Sequence, residues 1–224
     1  MGIRGVPKIT PRRRAPAAGP QRSNIGTDQP RLMHLARRVD WRFLLPSPDL
    51  GRVGVDENAD AELVEACASV ASSIDLATPA ADPAAFDVVV LSNPTKEDLE
   101  DAASLVRPGG WIYAETWGLL ARPFRFTDAL SPRAALMILR SLGFERAEAH
   151  WHWPDFQQCT EMIPLTNPAV VRYSLGRHRS GLRARFGSVA VRFLLILGVL
   201  DRVVTHASVK GRLPESANLD DLRN

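Results

Sequence analysis

Cysteine is almost missing from this chain of 224 residues, which has only Cys67 and Cys159. They lie far apart without metal-ligand or redox spacing, so no disulfide framework is expected and a reducing, cytoplasmic setting is. Long apolar runs are lacking too. The run Phe193–Leu200, bracketed by Arg192 and Asp201, falls far short of the roughly 20 residues a membrane-spanning helix needs. Acids are absent from residues 1–24, where Arg4, Lys8, Arg12, Arg13, Arg14 and Arg22 carry more than the whole net charge of +3. That segment is rich in Pro, Gly and Ala, cannot bury a core, and is expected to be a disordered basic tail. It has no apolar h-region of a secretory signal, and no specific nucleic-acid role is expected of it. Glycine is missing where it is most expected. In "GRVGVDENAD" (51–60) a β-branched strand runs into a turn made of Asp56, Glu57 and Asn58.

What is present suits one soluble globular domain, with 45% hydrophobic and 24% charged residues. "RLMHLARRVDWRFLLPSP" (31–48) reads as an amphipathic helix followed by an apolar stretch that Pro46 and Pro48 stop. "RVGVD" (52–56) reads as a buried strand and "ADAELVEACASVASS" (59–73) as a helix, with Asp60 and Glu62 favoured at its dipole's positive end. "SIDLAT" (73–78) is a further strand candidate. In "FDVVVLSNP" (86–94) the continuous run Val88–Leu91 predicts a parallel strand covered on both faces. Thr95 and Asp98 predict a capping box for the next helix (95–106), and "RPGG" a turn into the strand "WIYAET" (111–116). Pro132 and Gly143 bracket a helix, and "ERAEAHWHW" (145–153) is a strand at the sheet edge. The alternation of strands and helices is an α/β pattern with a mainly parallel sheet.

The stretch "FDVVVLSNPTKEDLEDAASLVRPGGWIYAETWG" resembles the second half of a class I S-adenosylmethionine-dependent methyltransferase. "LRSLGFERAEAHW" resembles the next unit, and "VVTHASVKGR" (203–212) the terminal antiparallel strand. The resemblance implies a Rossmann-like methyltransferase fold, shortened on the side of the second and third strands, with a helical insertion at 155–202. The expected organisation is a tail at 1–24, the domain at 25–213 and a second disordered tail at 214–224. The implied cofactor is S-adenosylmethionine, held where the strand order reverses. Two alignments compete. One makes "RVGVD" the first strand and "SIDLA" the second, which gives Asp75 the ribose-binding position; the other makes "RVGVD" the second strand and gives that position to Asp56. The first keeps the central strand of the sheet. Gly54, Asp56, Glu57, Asp75, Ser92 and Asn93 are the candidate cofactor-binding residues on this resemblance.

For catalysis the candidates are His152, Asn93 and Glu115. Ser92-Asn93-Pro94 ends the clearest strand, partly like the "N-P-P-aromatic" motif of amino-group methyltransferases, although a turn capping the next helix is the plainer reading. In "HWHWPDFQQC" (150–159), strand alternation puts His150 and His152 on one face and Trp151 and Trp153 on the other. His150, His152, Asp155 and Cys159 fit no standard zinc spacing, so no metal is expected. The tryptophans either pack on a helix or, with His152, Trp117 and Phe124, wall a ring-shaped acceptor. The run also resembles "W-x-W-P-[DN]-F" segments of bacterial methyltransferase-like proteins associated with polysaccharide or glycoconjugate assembly. A small-molecule or glycoconjugate acceptor is therefore expected. Arginines beside the apolar run at 172–204 suit either a packed helix or an anionic membrane surface on the cytoplasmic face. Two functions remain open: methyl transfer, or a degenerate methyltransferase-like protein that serves as a binding or assembly partner.

Overall fold

The computed structural model describes residues 29–118, 128–177 and 204–216. The basic tail, Phe124, most of the 172–204 stretch and residues 217–224 lie outside these. Seven strands form one sheet: β1 (Arg52–Val55), β2 (Ser73–Leu76), β3 (Phe86–Ser92), β4 (Val106–Trp117), β5 (Glu145–Trp153), β6 (Glu161–Pro164) and β7 (His206–Arg212), in the order β2-β1-β3-β4-β7-β5-β6. The first four are parallel. β7 inserts antiparallel between β4 and β5. This is the expected Rossmann-like methyltransferase arrangement. It is short on the β2 side, where β2 is the edge among the described residues.

The topology decides between the two alignments. β1 pairs with both β2 and β3, so "RVGV" is the central first strand and "SIDL" its outer neighbour. Helices α1 (Gln29–Arg38) and α2 (Ala61–Ala68), with the 3-10 turn Asp40–Leu44, cover one face, which we call the front. Leu35, Val39, Trp41 and Leu63 pack there on Val53, Val55, Val88 and Val90. On the back, α3 (Lys96–Leu105) and α4 (Pro132–Ser141) bury Leu99, Ala102, Ala135 and Leu139 against Val89, Leu91, Ile112 and Val209.

Local signals set these elements as expected. Thr95 accepts from Asp98 N, and the Asp98 carboxylate accepts from Thr95 N, satisfying two donors that the helix start leaves open. Asp60 caps α2 through Leu63 N at 2.7 Å. Three details differ from expectation. "RPGG" is no free turn: Phe86 pairs with Val106 and Val88 with Trp111, so residues between bulge out inside β4, with Gly109 at φ +81°. β5 is not an edge strand, because β6 pairs along it. The stretch after residue 155 therefore opens with a strand, followed by α5 (Pro168–Arg177), whose Val171 packs under Trp151. No helix among the described residues is long and apolar enough to cross a membrane.

Candidate active site

Strand order reverses between β1 and β3, and two cavities open there at the carboxyl ends of the parallel strands. The larger, about 420 Å³, is lined by Arg38, Asn58, Asp60, Ser92, Asn93, Glu115, Trp117, Asp155, Phe156, Gln157 and His206. The smaller, about 250 Å³, lies between the β1–α2 turn, the end of β2 and α3. Asp56, Glu57, Asp98 and Asp101 line it along with Thr78, Pro79 and Leu91. The turn stands between them, and Asn58 lines both.

Asp56 holds the switch point. Its Oδ2 accepts from Ser92 N at 2.9 Å, tying the end of β1 to the end of β3, while Oδ1 is buried without a hydrogen-bond partner. Burial pushes its carboxyl up to about 7, against the pull of the Ser92 N–H, and the nearby charge of Asp98 adds to the rise. Next to Ser92, Asn93 adopts φ +53° and donates its N–H to Glu115 O at 2.8 Å. A left-handed non-glycine residue at a strand end is a local strain, and it turns Asn93 toward the larger cavity's rim.

Glu115 closes the floor. The Arg38 guanidinium, arriving from α1, grips both its oxygens, with Nη2–Oε2 at 2.8 Å, and reaches Asp60 at 3.0 Å. Arg38 and Glu115 are both almost fully buried. Burial pushes the Glu115 carboxyl up while Arg38 pulls it down, and Arg38 itself is held protonated. From Glu115 a polar chain runs inward along the front face. Tyr113 Oη donates to Glu115 Oε1 at 3.3 Å, and further along the same face Ser208 Oγ meets His152 Nε2 at 2.7 Å. Trp41 stacks on Tyr113 at 3.9 Å. Burial depresses His152 to about 3 and His150 to about 4, so both imidazoles are neutral.

Several expected site residues need correction. Gly54 lines neither cavity, and a Cβ there would meet the Phe86 ring at 2.8 Å, so its smallness serves packing. Asp75 lies on the exposed edge strand, 3.9 Å from Arg52, and lines neither cavity; Ala77, Thr78 and Pro79 stand at the end of that strand instead. His152 is buried beneath Phe156, with ring centroids 4.8 Å apart, and is not on the cavity wall. Trp151 and Trp153 face the back and pack with α5, which is the packed-helix reading. Ser92, Asn93 and Glu115 line the larger cavity and Asp56 and Glu57 the smaller, as expected positions at the crevice. His150, His152, Asp155 and Cys159 form no metal cluster among the described residues.

Sequence reasoning missed Arg38, Phe156 and His206. Phe156 sits in the β5–β6 loop, which crosses the crevice and reaches α2 through Gln157 Nε2 to Glu62 at 3.2 Å. The Arg38 guanidinium lies 5.5 Å from the Phe156 ring centre. His206 pairs with Trp117 across β7 and β4, and the rings meet edge-on at 6.2 Å. The alternation Trp111, Tyr113, Glu115, Trp117 was a usable signal for a partly polar face; nothing local marked its partners.

No family model matches the chain, and no curated protein matches it. Among solved structures it is similar to several methyltransferases. Phosphoethanolamine N-methyltransferase 2 of Haemonchus contortus, in complex with S-adenosyl-L-methionine, is 12% identical with a TM-score of 0.48 over 82% of this chain. This chain spans about half of that one, 52%. A SAM-dependent methyltransferase from Archaeoglobus fulgidus is 11% identical, with a TM-score of 0.45 over 80% of this chain and 94% of that one. One from Thermotoga maritima is 12% identical, with a TM-score of 0.43 over 81% and 89%.

Proposed function

We propose that the switch-point crevice binds S-adenosylmethionine and that the chain is a methyltransferase-like protein acting on a small or glycoconjugate acceptor. The carrying observation is Asp56, a buried carboxylate with an oxygen that lacks a donor, in the place where a dinucleotide fold cradles phosphate. Its neighbours in the smaller cavity are Glu57, Asp98 and Asp101, with no basic side chain. Like charge repels a phosphorylated cofactor from such a pocket. Ribose hydroxyls, an exocyclic amine and an α-ammonium are donors, and they suit it. Pro79, Leu91, Ala102 and Leu105 supply the apolar wall that a purine needs.

When bound, the cofactor supplies a methyl carbon activated by a sulfonium. The chain's part is to hold it and to orient an acceptor. Asp56 and Glu57 take donors on one side of the turn, and Asn58 borders both cavities. Asn93 and Glu115 form the rim and floor on the acceptor side. Planar amides of Asn58, Asn93 and Gln157 beside Trp117 suit a sugar ring. The resemblance to polysaccharide-associated proteins and the arginines of 172–204 support work on a glycoconjugate at the inner face of an anionic membrane.

One observation favours the non-catalytic alternative. The Asp56 bridge to Ser92 and the side chains of the turn occupy the path that glycines leave free in this fold, so binding without turnover is the second reading. Calorimetric titration with S-adenosylmethionine, S-adenosylhomocysteine and ATP tests the proposal. The first two should bind and ATP should not. Asp56→Asn should weaken them by roughly tenfold to a hundredfold, the loss expected for one charged hydrogen bond. Silence with both sulfur ligands at millimolar concentration, or affinity indifferent to Asp56→Asn, overturns it.

A further inference from the structure

Three carboxylates and one cation line the larger cavity, and they are not evenly matched. Arg38 is committed to Glu115 and Asp60. Asp155, in the β5–β6 loop, accepts from Gln157 N at 2.9 Å and Gln158 N at 2.7 Å, both on Oδ1, and among the described residues no basic side chain is paired with it. Its charge acts on His206, whose imidazole burial nonetheless keeps below its ordinary value and hence uncharged. Aromatic rings line the same cavity as this unmatched acid. Trp117 meets His206 edge-on at 6.2 Å and 67°, and Phe156 meets His206 at 5.4 Å and 87°.

A carboxylate without a counter-ion beside neutral aromatic rings, in a cavity of about 420 Å³, is the setting that attracts an organic cation. Ring faces offer negative potential and exclude water, while the acid supplies the long-range attraction. An anionic ligand meets a net negative wall. Asn58, Asn93 and Gln157 complete the lining with groups that bond polar substituents without adding charge.

We infer that the acceptor taken by the larger cavity carries a positively charged amino group, held between Asp155 and the ring wall of Trp117, His206 and Phe156. Calling this ligand an acceptor rests on the methyltransferase reading; the cation site itself does not. Amino sugars and small alkylamines belong to the class it fits. Phosphorylated and uronic acid acceptors do not.

The test uses two probes of the same shape that differ in charge, choline and 3,3-dimethylbutan-1-ol. The full chain is titrated with each, with and without saturating S-adenosylhomocysteine, by calorimetry and tryptophan fluorescence. Choline should bind at least about tenfold more tightly, a difference of about 1.4 kcal/mol. Asp155→Asn should erase that preference while the protein melts within a few degrees of wild type. Equal binding of the two probes overturns the inference. So does no saturable choline binding up to about 100 mM, or a preference that survives Asp155→Asn. If choline is preferred but S-adenosylhomocysteine does not bind, the methyltransferase reading fails and the cation site stands. If S-adenosylhomocysteine binds and choline is not preferred, the cation site fails alone.

Discussion

The front face of the sheet has two halves that are held in opposite ways. Over β1 and β3 it is apolar: Val53, Val55, Val88 and Val90 meet Leu63, Ala66 and Cys67. Over β4, β7 and β5 the same face carries Tyr113, Glu115, Ser208, Lys210, His150 and His152, all buried. The first half needs only apolar side chains at alternate positions, and almost any well-shaped set would serve. The second half needs specific partners, because each buried polar group left unpaired costs about 1–3 kcal/mol. Most find them in one another and in Arg38, and Lys210 donates to Leu44 O at 2.9 Å and pairs with Glu148 at 3.3 Å; the buried His150 Nδ1 has no hydrogen-bond partner. Candidate site residues gather at the seam between the halves.

The sharpest way to break the contrast is Arg38→Ala. Removing one partner of a buried ion pair strands Glu115 as an unmatched charge, and destabilisation of about 3–5 kcal/mol is expected in a urea titration. Double substitution with Glu115→Gln should recover part of that, since the stranded charge is gone; a double variant no better than Arg38→Ala shows that the pair is not coupled.

Asp56→Asn probes the seam itself. The Asp56 carboxyl is raised in the folded chain to about 7, so its stabilising contribution is complete below the unfolded value near 4 and is lost as pH rises through 7. The Asp56→Asn variant keeps an acceptor for Ser92 N without the charge. Relative to wild type it should gain roughly 2–4 kcal/mol between pH 4 and 8. Melting temperatures measured across that range check it; parallel curves for the two proteins contradict the assignment.

Val90→Ala tests the apolar half and carries the smallest effect, about 1–3 kcal/mol from lost burial and a small cavity. Its cost should be the same at every pH, unlike the seam variant. A pH-dependent cost would mean that the two halves are not separable.

The apolar half and most of the fold could be read from the sequence. The Val88–Leu91 run, the Thr95–Asp98 box and the Pro132–Gly143 bracket are local signals, and each appears where expected, with Gly143 at φ +82°. The crevice position of Ser92, Asn93 and Asp56 followed from the strand ends together with the family resemblance. The polar half was less legible because its logic is long-range. Arg38 and Glu115 are 77 positions apart, and Arg37 beside Arg38 carries the same charge, so helical pattern alone does not say which arginine turns inward. Asp75 looked right by position, yet a four-residue strand at a sheet edge presents its side chain to Arg52 and water. His206 gave no local signal, and although Phe156 ends the "WHWPDF" segment, nothing local joined the two: one sits at the start of the last described strand and the other in a loop, and the sheet order brings them together.

The two outer strands of the sheet are both only four residues long. An edge strand with unpaired amides is a template for another copy's backbone, and long flat edges seed fibrils. Here β2 carries the exposed charge of Asp75, 3.9 Å from Arg52 of β1, and β6 ends in Pro164, which has no amide proton to offer. Among the described residues both rims of the sheet are thus poor templates for a second copy's backbone, and low edge-to-edge association is the consequence expected of them.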